Sequence, residues 1–265
     1  MDRNRPLILI SNDDGVDALG LQKITEALRD LGDLVVFAPD SPRSGMSCAI
    51  TAVGPIAYQM LKQEEGLTVY SCTGTPNDCV KLVLSKVLPK LPNLIVSGIN
   101  HGGNHALSVH YSGTVGAALE GCVFGVPSMS ISLYHFRPEA DFSESCRIGR
   151  FVAEQLLQQG LPRGIFLNLN IPNIPQVKGL AVGRQSAGKW HREFEREEDS
   201  AGHYWYWLSG DFEISGPDYP DNDVTLLKNG YASIVPCHID MTDYAFQNEL
   251  KSRLEFYKQP VIFEK

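Results

Sequence analysis

Short apolar runs alternate with amphipathic segments through the first two-thirds of the chain. Leu7-Ile8-Leu9-Ile10 is continuously apolar, the pattern of a strand covered on both faces. Leu21, Ile24, Thr25, Leu28 and Leu31 then recur at helical spacing, and Gly32 supplies a stop. Leu34 to Ala38 predicts a second buried strand closed by Pro39-Asp40. Thr68 to Cys72 predicts a third, followed by a helix from about Pro76 with Val80, Val83, Leu84 and Val87 on one face. Leu94 to Ser97, Ser128 to Leu133 and Ile165 to Ile171 predict further strands, interleaved with helices over Thr114 to Phe124 and Ser143 to Gln159. Strand and helix in turn imply right-handed βαβ crossovers, hence a doubly wound α/β fold with a three-layer, mostly parallel sheet.

After about Gly179 the texture changes. Trp190 to Glu198 is polar and charged, Tyr204 to Trp207 is an aromatic run, and Asp211 to Asp223 is rich in Asp, Gly and Pro. This predicts hairpins and loops, an arm suited to reach a partner subunit. Tyr231 to Pro236 returns as a strand and Thr242 to Tyr257 as a closing helix. The expected division is therefore a catalytic domain over 1–180 and a C-terminal segment over 181–265 that holds the hairpin arm, returning strand and closing helix.

Composition narrows the function. With 43% hydrophobic and 20% charged residues the chain is no disordered polymer. Its 23 Lys and Arg against 31 Asp and Glu give a formal charge of −8, which repels a phosphate backbone and disfavours extended nucleic acid as a partner. A phosphorylated substrate must then be met by a local site or a bound cation. The cysteines Cys48, Cys72, Cys79, Cys122, Cys146 and Cys237 form no CxxC pair and read as reduced, small apolar residues. Leu7 to Ile10 is too short a run for a signal peptide, and no apolar stretch nears the roughly 18 residues of a membrane span. These features lead us to expect a cytoplasmic protein with no membrane partner.

In an open α/β sheet, ligands bind outside the carboxyl ends of the strands. The trailing loops here are Ser11-Asn12-Asp13-Asp14-Gly15, Pro39 to Gly45, Thr73 to Asp78 and Ser97 to Asn104, all rich in carboxylates, amides, hydroxyls and glycines. Adjacent side chains on a strand point to opposite faces, so Asp13 and Asp14 converge only where the chain leaves strand geometry, which Gly15 eases. At about 4 Å and an effective dielectric near 20 their repulsion is about 4 kcal/mol, which a cation removes. Oxygen donors of this kind suit Mg²⁺, Mn²⁺ or Ca²⁺ better than Zn²⁺. The competing reading is that Asp13 or Asn12 caps the next helix or turns the chain. In Tyr111 to Ala118, hydroxyls and Gly113 stand where a helix begins, so free N–H groups and the positive dipole end suit a phosphate. A plain N-cap by Ser112 explains the same residues.

Taken together, Ser11 to Gly15, the Arg43-Ser44-Gly45 turn, Gly74 to Val80, Ser97 to Asn100, and Tyr111 to Ala118 resemble the survival-protein SurE nucleotidases. Gly230 to Pro236, with Asp240 and Thr242-Asp243 after it, also fits. The likeness runs in order from about residue 7 to 133 and again from 223 to 245. It implies a Rossmann-like core, a C-terminal segment used in homodimer or homotetramer assembly, and a divalent-metal-dependent phosphatase acting on nucleoside 5′-monophosphates, with 3′-monophosphates and short polyphosphate as further candidate substrates. By position it implies one Mg²⁺ or Mn²⁺ held by Asp13, Asp14, Ser44 and Asn100. It also implies catalysis by Asp13, Asp14, Asn100 and Ser112, and substrate contacts from Asn104, Ser112, Gly113 and Thr114.

His101, His105 and His110 would be a zinc face on a helix, but Gly102-Gly103 argues against one, and solvated loop histidines are the plainer expectation. One of them assisting the leaving alkoxide stays open. A dinucleotide fingerprint, a P-loop and a G-x-S-x-G elbow are absent from the sequence. An aspartyl-phosphate phosphatase with one Asp as nucleophile and a non-catalytic nucleotide-binding module remain as alternatives. Tyr204 to Trp207 and Trp190 are expected in an oligomer interface ahead of base stacking. Arg184, Lys189, Arg192 and Arg196 read as a solvated face ahead of a phosphate contact.

Overall fold

β1 (Leu7–Ser11) is buried at every position, and its side chains serve two cores by simple alternation. Ile8 and Ile10 join one apolar cluster while Leu7 and Leu9 join the other, which is why the run is continuously apolar. In the computed structural model, which describes residues 5–135, 139–217 and 219–254, the chain continues through α1 (Leu19–Ala27), β2 (Asp33–Pro39), β3 (Tyr58–Glu64), β4 (Leu67–Cys72) and α2 (Pro76–Leu82). Next come β5 (Leu94–His101), α3 (Gly113–Val123), β6 (Ser128–Tyr134), α4 (Ser143–Gln159), β7 (Ile165–Pro172) and β8 (Leu180–Val182). The last third holds β9 (Gly188–His191), β10 (Phe194–Glu198), β11 (Tyr204–Leu208), β12 (Asp211–Ile214), α5 (Asp223–Lys228), β13 (Ala232–His238) and α6 (Tyr244–Leu254).

Nine strands form one sheet in the order β3-β4-β2-β1-β5-β6-β7-β13-β8. β4, β2, β1, β5, β6 and β7 run parallel, whereas β3 pairs antiparallel with β4 and β13 antiparallel with β7. Helices α1 and α4 cover the face of Ile8 and Ile10 through Leu21, Ile24, Ile148, Val152 and Leu156. The opposite face, with Leu9, Phe37 and Ile95, is covered by Val80 and Val83 of the α2 region and Ala117 of α3. This is the expected Rossmann-like three-layer α/β/α arrangement. β1 is flanked by β2 on one side and β5 on the other, so the topological switch point lies between the ends of β1 and β5.

Three features differ from the sequence pattern. β3 carries no strand signal because it is exposed along its whole length; the backbone ladder to β4, not a buried face, holds this edge. Val83–Val87 closes the α2 region as a π-helical turn in place of a continued α-helix. α6 begins at Tyr244, and none of its residues is buried within the chain; the expected continuation to Tyr257 lies outside the described residues. The second and third sheets are two-stranded ribbons, β10–β11 and β9–β12.

Candidate metal and phosphate site

Asp13 and Asp14 follow β1 after Asn12. Gly15 has φ 99°, a left-handed conformation that turns the chain over its strand end, and Asn12 Nδ2 closes the turn on the Gly15 carbonyl at 2.9 Å. α1 starts only at Leu19, with Ala18 at its cap and no side-chain cap. Neither acid therefore caps the following helix, and the turn belongs to Asn12.

The two carboxylates are gripped from different loops. The Thr114 hydroxyl donates to Asp13 Oδ1 and stands 3.5 Å from Asn100 Oδ1. The Asn100 amide nitrogen is committed to the Gly102 carbonyl at 2.7 Å, so its oxygen faces Thr114. Asp14 Oδ2 accepts from the His101 backbone N–H at 3.0 Å. Asp13 is only 3% exposed. Burial pushes its carboxyl up to about 6, against the pull of the Thr114 hydrogen bond and with a further push from the Asp14 charge. Asp14 is raised as well, by burial, with the His101 amide opposing. A buried acid beside a half-buried one, the first raised further by the second's charge, is an arrangement in which a cation gains much.

Asp13, Asp14, Asn100 and Thr114 thus share one locus, and Gly113 packs against Asp13. Ser112 is the N-cap of α3, its Oγ accepting from Val115 N at 3.1 Å, so the capping reading holds for its lone pair and leaves its proton to donate. Ser44 is exposed and follows Arg43, whose backbone N–H donates to the Asp13 carbonyl at 2.7 Å. Its loop is moored at the far end by Asp78, which accepts from Thr51 N and Oγ1, and by Thr75 Oγ1, which donates to the Ala49 carbonyl. Asn104 stands apart: its backbone and side-chain amides bond Asn170 Oδ1 and Ser132 Oγ, between β6 and β7.

The expectation of solvated histidines fails for His105, which is buried in T-shaped contact with Tyr134 at 4.9 Å and Phe212 at 6.0 Å between ring centroids. Burial holds its imidazole below the usual value. His101 and His110 are exposed. The stretch from His105 is a 3₁₀ turn over Ala106–His110 and not a zinc-binding helix face. Arg184 pairs with Asp221, Arg192 with Asp211, and Arg196 lies over the Tyr204 ring, consistent with a solvated face.

The donor set fits a hard divalent cation. Asp13 and Asp14 enter none of the ion pairs among the described residues. Asn12 Oδ1 is a buried acceptor lacking a hydrogen-bond partner, and Asn100 Oδ1 faces a hydroxyl whose single proton serves Asp13. No three His, Cys, Asp or Glu side chains converge among the described residues; two carboxylates with neutral oxygens are a donor set for Mg²⁺ or Mn²⁺. Sequence reasoning missed Asp223, Ser186, Asn168 and Asn170, buried polar groups that fasten this region. An acid heading a short helix gives no local sign of a partner far along the chain.

The survival protein SurE family matches residues 8–192. A 5′-nucleotidase SurE from Phocaeicola vulgatus is 46% identical over 95% of this chain and 98% of its own. One from Bacteroides thetaiotaomicron is 48% identical over 97% of this chain and 100% of its own. The crystal structure of the SurE protein from Aquifex aeolicus superposes with a TM-score of 0.80 at 34% identity, covering 94% of this chain and 100% of that one. A chain matched over this much of its length by the family and by its relatives, and sharing the fold of that structure, belongs to the SurE family.

Proposed function

We propose that the chain is a divalent-metal-dependent 5′-nucleotidase that cleaves nucleoside 5′-monophosphates with water to nucleoside and inorganic phosphate. The observation that carries this reading is the pairing of buried Asp13, held by Thr114 beside Asn100, with half-buried Asp14, held by the His101 amide, at the switch point, in a family whose relatives bear the name 5′-nucleotidase. Asp13, Asp14, Ser44 and Asn100 would hold one Mg²⁺ or Mn²⁺. When bound, the cation supplies Lewis-acid polarisation of the phosphoryl group and lowers the pKa of water. Thr114 fixes the Asp13 carboxylate, and the His101 amide fixes Asp14. The Ser112 proton and the amides at the head of α3 are the donors for the phosphate's remaining oxygens, while Asn104, its amides committed to Asn170 and Ser132, supports the loop between them. The substrate's charge is then met locally in spite of the −8 total. Asp13 and Asp14 are adjacent rather than spaced to separate a nucleophile from an acid, which disfavours the aspartyl-phosphate alternative.

Homo-oligomerisation is part of the same reading. Tyr204, Trp205, Tyr206, Trp207 and Leu208 of β11 are each more than half exposed within the chain, an apolar ribbon that calls for a second copy. The unpaired cysteines support a reducing, cytoplasmic setting, and no helix among the described residues is long and apolar enough to cross a membrane. The test is phosphate release from a panel of nucleoside monophosphates with Mg²⁺ or Mn²⁺. Turnover that EDTA abolishes is expected; binding without turnover in every metal would mean a nucleotide-sensing module instead.

A further inference from the structure

We infer that Asp223, far outside the metal-binding loops, is a positioning residue that sets the loop joining Asn100 to Ser112. The Asp223 side chain is 1% exposed. Its Oδ2 accepts from the Ala106 backbone N–H at 2.8 Å, while Oδ1 accepts from Ser186 N at 3.1 Å, Ser186 Oγ at 2.5 Å and Val224 N at 2.7 Å. Gln185 Nε2 takes the other side of the same residue, donating to the Ala106 carbonyl at 3.0 Å. Both backbone groups of Ala106 are thus held by the C-terminal segment. Ala106 has φ 49°, a left-handed conformation that an alanine adopts only when its surroundings impose it.

The position of this clasp gives it its consequence. One end of the loop carries Asn100 and the other Ser112 to Thr114. The stretch is fastened by Asn104 to Asn168 and Asn170 and by the Ser47 side chain and amide to the carbonyls of His110 and Tyr111. Ala106 lies between these moorings. Without Asp223 its amide would be buried and unpaired, and the residue would revert toward right-handed geometry, shifting the cradle relative to the acids. A displacement of about 1 Å at such a site costs on the order of 100-fold in rate.

The inference rests on the nucleotidase reading, and the experiment separates the two. Wild type, Asp223→Asn, Ala106→Gly and the double variant are assayed as full-length protein for phosphate release from nucleoside monophosphates, with kcat and KM resolved and Tm recorded. Backbone amide exchange over 104–111 is followed without metal. Asparagine presents an amide group to at least one of the N–H donors, so Asp223→Asn is expected to lower kcat roughly 10- to 100-fold and to speed exchange at Ala106. Glycine adopts the left-handed conformation unaided, so Ala106→Gly in the Asp223→Asn background is expected to recover several-fold in kcat without recovering Tm, which a purely structural role does not produce. If Asp223→Asn does not fold, Gln185→Ala, at an exposed position, carries the test and is expected to lower kcat several-fold at unchanged Tm. Wild-type kcat and wild-type exchange in the folded variant overturn the inference, as does a double variant no faster than Asp223→Asn. A wild-type protein without phosphate release overturns the nucleotidase reading instead, with amide exchange still reporting on the clasp.

Discussion

Gly113 lies so close to Asp13 that a β-carbon built on it would stand 2.9 Å from the Asp13 β-carbon and 3.0 Å from Pro76 Cγ. Atoms at that distance overlap, so any side chain at 113 must push Asp13 or the start of α2 aside. Gly113→Ala is therefore expected to cost about 1–3 kcal/mol in stability and to lower turnover far beyond what that loss explains, because the carboxylate itself is displaced. Denaturant melts paired with phosphate release check this; an alanine variant with wild-type kcat would show that Asp13 tolerates the shift.

Asp13 opposes stability with function. Its carboxyl is raised to about 6 from an ordinary 3.8, chiefly by burial. A raised acid stabilises the fold fully only below its unfolded value, and that contribution is lost as pH rises through about 6. At pH 8 without metal the ionised, buried carboxylate costs about 3 kcal/mol. Asp13→Asn keeps the oxygen that accepts from Thr114 and carries no charge. The metal-free variant is expected to melt above wild type at pH 8, with the gap closing below about pH 4, while metal-dependent turnover falls by orders of magnitude. Scanning calorimetry in EDTA at several pH values reads the first effect. A variant less stable than wild type at pH 8 would contradict the balance of forces assigned to Asp13.

The aromatic ribbon makes an assembly prediction. Along β10–β11 the register sets Glu195 opposite Trp207 and Glu197 opposite Trp205, with the Trp207 indole N–H donating to Glu197 at 2.7 Å. The polar edges are satisfied within the ribbon while the ring faces stay exposed. With about 60% of its surface open, each tryptophan offers roughly 150 Å² to a partner, about 4 kcal/mol when buried and before ordering costs. Replacing Trp205 and Trp207 together by Ser is expected to shift the mass by light scattering to that of a single chain, with Tm reduced in proportion to the lost association. A wild type already monomeric at micromolar concentration would remove the interface.

What the sequence made legible follows the physics of each element. β1 and β2 are buried on both faces, so their apolar runs stand out. Asp13 and Asp14 stand out because two adjacent acids close a strand at the carboxyl end of an α/β sheet, beside other oxygen-rich loops, although an acid-acid-glycine turn by itself fits a plain turn as well. β3 is silent because its seven residues are all exposed and its stability comes from backbone pairing that leaves no mark on side-chain pattern. His105 reads as a solvated loop residue because Gly102-Gly103 precedes it; its burial against Tyr134 of β6 and Phe212 depends in part on a ribbon more than a hundred residues downstream. Ser44 gained a role only from family likeness, for a lone exposed serine in a turn has no chemistry that singles it out.

Asp78 tests whether that serine's loop belongs to the site. Its carboxylate accepts from Thr51 N at 3.1 Å, Thr51 Oγ1 at 2.6 Å and Thr75 N at 3.0 Å, tying the far end of the 41–51 loop to the start of α2. Burial pushes the Asp78 carboxyl up, but the hydrogen bonds from Thr51 and Thr75 outweigh it and hold it below the usual value. A depressed acid stabilises above its unfolded value and loses that contribution as pH falls below about 4, so acid loosens the mooring. Asp78→Asn sets an amide group against these donors at a cost of about 1–3 kcal/mol. If Ser44 supplies a ligand, freeing its loop is expected to weaken the apparent metal affinity about tenfold while kcat at saturating metal stays within a few-fold of wild type. Titration of phosphate release against Mn²⁺ separates the two quantities. Unchanged metal affinity in a variant that has lost the Thr51 contacts would take Ser44 out of the metal site and leave the cation to Asp13, Asp14 and Asn100.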